Sequence, residues 1–600
     1  MNMRCALWKL IKYRPGLYGA DVFAWIAILL TELGTGYLAR LFFDSLTGAS
    51  PAGLTIWSII ALVVASGIAR ILTVLAGALI DIRHRYNMGT LMRRNLLASI
   101  FAQPGAQGLS RSTGEALNTF RDDAQVVEDT ISWIVDQTAF AVYAGVALAI
   151  LIAIDARITA IVVFPLLTVI VAARLVAKHI RRFREVSRRA TEKVTGAIGE
   201  AMEGVQTIQL AGAEKHVLAH VARLNEVRLH ATVRERLLSQ LLHSFFWNTA
   251  TLCTGLILLA AADSLKTGAF TVGDFALFVI YVGVLAEVVA DIGDFMMHLK
   301  QGAVSMERMA SLACDETGSS VVAHVPIHMT GPLPETVTLS RVASDRLDEL
   351  CVEDLGFRWP GNGDSGHDSA GLIGLRDISF VLSRGEFVVI TGRIGSGKTT
   401  LLRTLLGLLP ADSGSITWNG RSVDDPARFF VPPRCAYTPQ VPQLFSDTLE
   451  SNIRMGFPAT AEELDATIRL AVMEDDIPHL QQGLDTLIGA KGVKLSGGQR
   501  QRTAAARMFV RDPELLVFDD LSSALDVETE NLLWDRTFAR GDRTYLVVSH
   551  RRPALERADR IILMKGGRIE GVGSLNELLD EYDEMKSLWR GVFEAQAQSG

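Results

Sequence analysis

Apolar and polar positions are distributed unevenly along this chain, and the unevenness divides it in two. Six apolar stretches fall at about 20–42, 55–80, 132–154, 158–179, 246–265 and 274–299, each near the ~20 residues that a helix needs to cross a bilayer. Beyond residue 310 the pattern changes. Short continuous apolar runs, Glu386–Thr391, Leu515–Asp519 and Tyr545–Ser549, read as strands buried on both faces. Helical segments, Lys398–Leu409 and Gln501–Val510, lie between them. The predicted architecture is a multidomain chain: a six-helix all-α transmembrane domain over 1–314, a Gly/Ser/Pro-bearing linker over 315–349, and an α/β domain over 350–600.

The links between the apolar stretches are unequal. Those after the first, third and fifth are short. Those after the second and fourth are long, polar and rich in arginine: Arg83, Arg85, Arg93 and Arg94 in one, Arg181, Arg182, Arg184, Arg188 and Arg189 in the other. The excess of positive charge places both long links, the N-terminal segment and everything after residue 300 in the cytoplasm. No proline interrupts Ala190–Glu203, so the second to fifth helices are expected to run past the bilayer as long cytoplasmic extensions. Lys12 and Arg14 precede the first stretch without a cleavable leader pattern, as in a cytoplasmic interfacial helix.

Composition adds little beyond this. Hydrophobic residues make up 49% of the chain and the mean hydropathy is +0.25, high for a soluble protein. The formal net charge of −7 comes without a basic stripe interleaved with aromatics, so nucleic acid is not an expected partner. The five cysteines are scattered without metal-ligand spacing. The glycine-rich loop at 361–371, with His367 between Asp364 and Asp368, reads as an unstructured excursion. Two acids lie deep in predicted spans, Glu32 and Glu287, with Asp291 and Asp294 on the latter's helical face. Two readings stay open: they line a wet cavity suited to cationic or amphipathic cargo, or they are protonated or paired between helices.

The chemistry is concentrated in the last third. Gly392-Arg393-Ile394-Gly395-Ser396-Gly397 joins a buried strand to a helix beginning Lys398-Thr399-Thr400, the setting a phosphate-binding loop requires. Glycines let backbone N–H groups converge on phosphate oxygens, and the helix N-terminus adds its dipole. Lys398 is expected at the β- and γ-phosphates of ATP, and Thr399 and Asp519 at Mg²⁺. Asp520 stands where a general base or water-orienting carboxylate is expected. His550, at the end of another such strand, is placed to hold the γ-phosphate or the attacking water. Trp359 is a candidate for stacking on adenine. Leu495-Ser496-Gly497-Gly498-Gln499 opens a helix and supplies a second phosphate-binding helix start.

Taken in order, these motifs resemble an ATP-binding cassette (ABC) transporter of the exporter type, a half-transporter with one membrane domain fused to one P-loop NTPase cassette. The resemblance covers nearly the whole chain. It implies ATP-driven transport by a dimer whose cassettes meet head to tail, each ATP lying between one Walker A loop and the partner's signature. It makes Gln440 the Q-loop glutamine, in both the catalytic and the metal-side set, and Ser523-Ala-Leu-Asp526 the D-loop. His550 becomes the switch histidine. Ser112-Thr-Gly-Glu115 falls near the first coupling helix, Glu203–Gly212 at the second, and Thr271-Val-Gly-Asp274 at the start of the sixth membrane helix. Export of a small amphipathic molecule, drug, lipid or peptide through a bacterial inner membrane is the implied activity. The same architecture also admits an importer or an ATP-gated, channel-like protein.

Two positions depart from the family. The residue after the Walker B aspartate is normally glutamate and here is Asp520, one methylene shorter. In heterodimeric relatives such a change marks a slow site, so both a heterodimer and a homodimer with two slow sites are open. Before the signature, the usual Gly-Glu-x-Gly is replaced by Gly489-Ala-Lys-Gly492, which puts one contact with the coupling helices in doubt.

Overall fold

The structure is a computed structural model, and it describes residues 3–48, 54–106, 112–267, 269–315, 317–332, 341–359, 373–521, 525–541 and 543–597. The loop at 361–371, part of the linker and Ser523 of the D-loop lie outside the described residues. The chain divides into two bodies: Met1–Ile100 with Leu109–Met329, and Phe101–Gly108 with Thr330–Gly600.

The first body is helical. A short amphipathic helix, α1 (Met3–Tyr13), precedes α2 (Pro15–Leu46) and α3 (Ile56–Phe101). Then come α4 (Thr113–Asn118), a π-helical turn (Thr119–Asp123), α5 (Ala124–Ile154), α6 (Ala156–Glu203), α7 (Val205–Leu210), α8 (Glu214–Thr267) and α9 (Val272–Leu312). The six predicted stretches fall in α2, α3, α5, α6, α8 and α9. Helices α3, α6 and α8 hold 46, 48 and 54 residues, or about 69, 72 and 81 Å at helical rise, more than twice a hydrocarbon core. Among the described residues, α2, α3, α4–α5 and α9 are long and apolar enough to span a membrane, while α6 and α8 show shorter apolar segments, Ala156–Thr168 and Thr251–Ala262. Pro165 lies inside α6 without ending it.

Helix α6 runs along α8, α5 along α9, and α2 packs on both α5 and α9. Leu33, Tyr143, Phe278 and Tyr281 are buried where these helices meet. Gly36 lets Tyr281 approach α2, because a Cβ there would lie 2.5 Å from Tyr281 Cε1, and the Tyr281 hydroxyl donates to the Leu33 carbonyl at 2.7 Å. Thr271 and Asp274 form a capping box at the start of α9. Asp44 of α2 accepts from the Gly273 N–H at 3.1 Å, satisfying another helix-end donor. The acids in the spans differ from one another. Glu32 pairs with Arg70 of α3 at 2.9 Å, whereas Glu287 is exposed in this single chain. Asp21 and His84, both fully buried, meet at 3.1 Å.

The second body contains two sheets. Strands β1 (Glu349–Arg358), β2 (Ile373–Ser383), β4 (Ser413–Trp418) and β5 (Arg421–Ser422) form an antiparallel sheet ordered β2-β1-β4-β5. Strands β3 (Phe387–Thr391), β6 (Cys435–Thr438), β7 (Leu515–Asp519), β8 (Thr544–Val548), β9 (Arg560–Lys565) and β10 (Arg568–Gly573) form the other, ordered β10-β9-β3-β8-β7-β6. Only its β9–β10 pair is antiparallel. All five residues of β3 are buried. Phe387 and Val389 enter one core, and Val388 and Ile390 enter the other. A strand covered on both faces by core has no polar side, which is why the run was continuous rather than alternating.

Helices α10 (Lys398–Leu405), α11 (Pro426–Phe429), α12 (Leu449–Arg454), α13 (Ala461–Leu470), α14 (Gly497–Phe509), α15 (Val527–Phe538), α16 (Arg552–Arg557), α17 (Leu575–Glu581) and α18 (Asp583–Ala597) complete this body. Residues 101–106 belong to it, and the Ala106 N–H donates to the Leu408 carbonyl at 2.9 Å.

Candidate nucleotide site

The phosphate loop leaves the C-terminal end of β3, the place in an open parallel sheet where ligands bind. Its glycines have geometric reasons. Gly392 sits at φ +144° and Gly397 at φ +101°, and a Cβ on Gly392 would collide with the Met564 carbonyl. Lys398 turns its ammonium onto the loop, donating to the Gly392 carbonyl at 2.7 Å and the Arg393 carbonyl at 2.9 Å. Burial pushes the Lys398 pKa down, against the pull of Asp520 and Asp519. The glycine-rich turn, the start of α10 at Lys398 and one cation make a cradle of the kind a triphosphate fits. Ile394 is fully exposed at the loop's crest.

At the end of β7, the Thr399 hydroxyl donates to Asp519 Oδ1 at 3.0 Å. The Tyr437 hydroxyl donates to Oδ2 at 3.2 Å. Hydroxyl and carboxylate oxygens are the hard donors Mg²⁺ prefers. Burial raises the Asp519 carboxyl above the ordinary range, and the Thr399 and Tyr437 bonds work against that rise. Tyr437 was not anticipated from sequence. Its position at the end of β6, three residues before Gln440, was the available signal.

Asp520 follows in the left-handed region at φ +54°, a conformation aspartate tolerates better than most side chains. Its Oδ2 accepts from Gln440 Nε2 at 3.2 Å. The His550 Nδ1 lies 3.9 Å from Oδ1, beyond hydrogen-bond reach. Burial raises the Asp520 carboxyl above its ordinary value, opposed first by His550 and then by Gln440. Sequence reasoning placed these three residues separately, and the fold brings them together. Behind them, Arg551 donates to the Leu525 carbonyl at 2.9 Å and to the wholly buried Glu530 at 3.0 Å. Asp526 caps α15, accepting from the Thr529 N–H and hydroxyl at 2.8 Å each, and these bonds hold its carboxyl below the usual range.

Trp359 follows β1, 36% exposed and edge-on to Phe357. Gly374 lies between it and the loop: a Cβ on Gly374 would stand 3.3 Å from the Trp359 ring, and the Gly374 carbonyl 3.1 Å from a Cβ on Gly397. Ser496 caps α14, which begins at Gly497 rather than at Gln501 as expected. Ser496 and Gln499 form a capping box strong enough to start a helix through two glycines. A cavity beside the phosphate loop measures about 990 Å³; its lining includes Lys398, Asp526 and His550 but none of Trp359, Thr399, Gln440, Asp519, Asp520 or Ser496–Gln499. Within Gly489–Gly492, Ala490–Gly492 forms a 3₁₀ turn with Lys491 at φ +56°.

A P-loop, a Walker B strand and a signature helix on this pair of sheets define an ATP-binding cassette. Residues 375–523 match the ABC transporter family and residues 20–289 match the ABC transporter transmembrane region. The chain belongs to the ABC transporters, as an exporter-type half-transporter, membrane-embedded and with an ATPase domain. It is 29% identical over 511 residues to YheI of Bacillus subtilis, a probable multidrug resistance ABC transporter ATP-binding/permease protein, covering 82% of this chain and 81% of that one. It is 29% identical over 406 residues to the ATP-dependent lipid A-core flippase of Chromohalobacter salexigens, covering 66% of each. The fold matches a bacterial Atm1-family ABC exporter solved with ATP bound, at a TM-score of 0.73 and 22% identity, over 97% of this chain and 99% of that one.

Proposed function

We propose that this chain exports an amphipathic small molecule, lipid, drug or peptide from the cytoplasm as one half of a dimer, with its own nucleotide site turning over slowly. The observation that carries the dimer is that one cassette presents two separate phosphate-binding helix starts, at Lys398 and after Ser496, the pair that a head-to-tail second cassette complements. Lys398 and the loop amides bind the triphosphate, and the partner's signature helix closes over it. Mg²⁺, when bound, neutralises the charge on the β- and γ-phosphate oxygens, and Thr399 and Asp519, with Gln440, would hold it. Asp520 orients the attacking water and takes its proton, and His550 holds the γ-phosphate side.

Asp520 is one methylene shorter than glutamate, which withdraws its carboxylate by about 1.5 Å. That supports a slow site and favours a heterodimer, in which the intact signature of this chain completes a faster site on the partner. The names of the multidrug and lipid A-core relatives support amphipathic cargo, and their bacterial sources support a bacterial membrane. The test is ATP-dependent movement of a fluorescent amphiphile or labelled lipid in proteoliposomes, with Lys398→Ala as the blank. Accumulation on the side away from the cassettes supports export. Accumulation on the cassette side indicates an importer, and movement only down the gradient indicates a channel.

A further inference from the structure

The ATPase chemistry makes no use of helix α18, yet α18 contacts the phosphate loop and lines the cavity beside Lys398. Glu584, in its first turn, is only 9% exposed. Its Oε1 lies 2.5 Å from Nε of Arg393, and its Oε2 lies 3.7 Å from Nζ of Lys565. Arg393 is the second residue of the phosphate loop, and its carbonyl is one of the two that receive the Lys398 ammonium. Five residues along α18, the Trp589 ring lies 5.0 Å from the guanidinium carbon of Arg552, at the start of α16 and two residues after His550. Ser587 and Leu588 line the cavity between these contacts.

Backbone bonds hold part of the loop: the Ser396 N–H donates to the Arg393 carbonyl at 3.1 Å and the Gly567 N–H to the Ser396 carbonyl at 3.0 Å. Gly392, Gly395 and Gly397 all sit at positive φ, and glycine gives the backbone the most freedom of any residue. A side chain anchored outside such a loop restrains it further. Arg393 is that side chain, and Glu584 is its anchor: a carboxylate largely withdrawn from water needs its cation, and a charge-assisted bond is the strong kind.

We propose that α18 is part of the nucleotide site, with Glu584 a positioning residue. Through Arg393, Glu584 holds the phosphate loop and the carbonyls that orient Lys398 in the form that receives the triphosphate.

The test is a double-mutant cycle on the full chain in lipid nanodiscs, read as the Kd for a fluorescent ATP analogue, so that no turnover is needed. Glu584→Gln and Arg393→Gln each weaken binding by roughly three- to tenfold, as expected for one partly buried charged contact. The double variant is no weaker than the weaker single, because both remove the same contact. Exchanging the charges, Arg393→Glu with Glu584→Arg, restores part of the loss. The proposal is overturned if Glu584→Gln lowers the melting temperature without moving Kd, or if the two single effects add in the double variant. Should Glu584→Gln not fold, Glu584→Asp takes its place in the cycle, and an additive result there overturns the proposal equally.

Discussion

Replacing Asp520 by glutamate is predicted to accelerate hydrolysis while destabilising the cassette. The aspartate carboxylate accepts from Gln440 at 3.2 Å but stands 3.9 Å from His550. A further methylene extends it by about 1.5 Å, toward the reach of a glutamate at this position. Because misplacing a catalytic group by an ångström can cost about 10²-fold, Asp520→Glu should raise kcat by about ten- to a hundredfold. The backbone opposes the change. Position 520 is held at φ +54°, and a longer side chain there costs about 1 kcal/mol, or about 2–4 °C of melting temperature for a domain of this size. The assay is Mg²⁺-dependent phosphate release from the reconstituted chain, beside a thermal melt. A variant no faster than the parent at saturating ATP would show that the aspartate already reaches its water, and the slow-site argument would fall.

Further expectations follow from the same geometry. Burial holds the Asp520 carboxyl above its ordinary pKa, so on acidification it takes up its proton, and hydrolysis declines, at a higher pH than an ordinary aspartate would show; a pH profile of kcat checks this. By linkage, a raised carboxyl gives stability that is present at low pH and lost as pH rises through its folded pKa, so Asp520→Asn should melt no lower than the parent at pH 7 while losing hydrolysis. Glu530 is wholly buried against Arg551, and Glu530→Gln should cost about 2 kcal/mol and lower the melting temperature by about 4–8 °C. Gly392→Ala drives a Cβ into the Met564 carbonyl and should abolish binding of a fluorescent ATP analogue, measured by titration.

Much of this was legible in the sequence where one physical cause dominates locally. Strands β3, β7 and β8 could be read because every residue in each is buried, leaving an uninterrupted apolar run. The phosphate loop could be read because its glycines answer to backbone angles that other residues avoid. What escaped depends on pairs distant in sequence. Glu32 was found, but its partner Arg70 stands 38 positions away and no local pattern joins them. Tyr437 reaches Asp519 only because β6 lies beside β7. Arg393 and Glu584 meet across almost two hundred residues. The start of α14 was placed four residues late because glycines at 497 and 498 argue against a helix, while the Ser496–Gln499 capping box outweighs them.

The central claim is that this chain needs a second half-transporter to hydrolyse ATP at full rate. The measurement that tests it most directly is Mg²⁺-dependent ATPase turnover of the chain alone, reconstituted in lipid, against Lys398→Ala. The account predicts turnover close to that blank while ATP remains bound, since Asp520 would occupy both sites of a self-dimer. Turnover far above the blank would contradict it, and would mean that two copies of this chain form a working transporter with aspartate as the catalytic carboxylate.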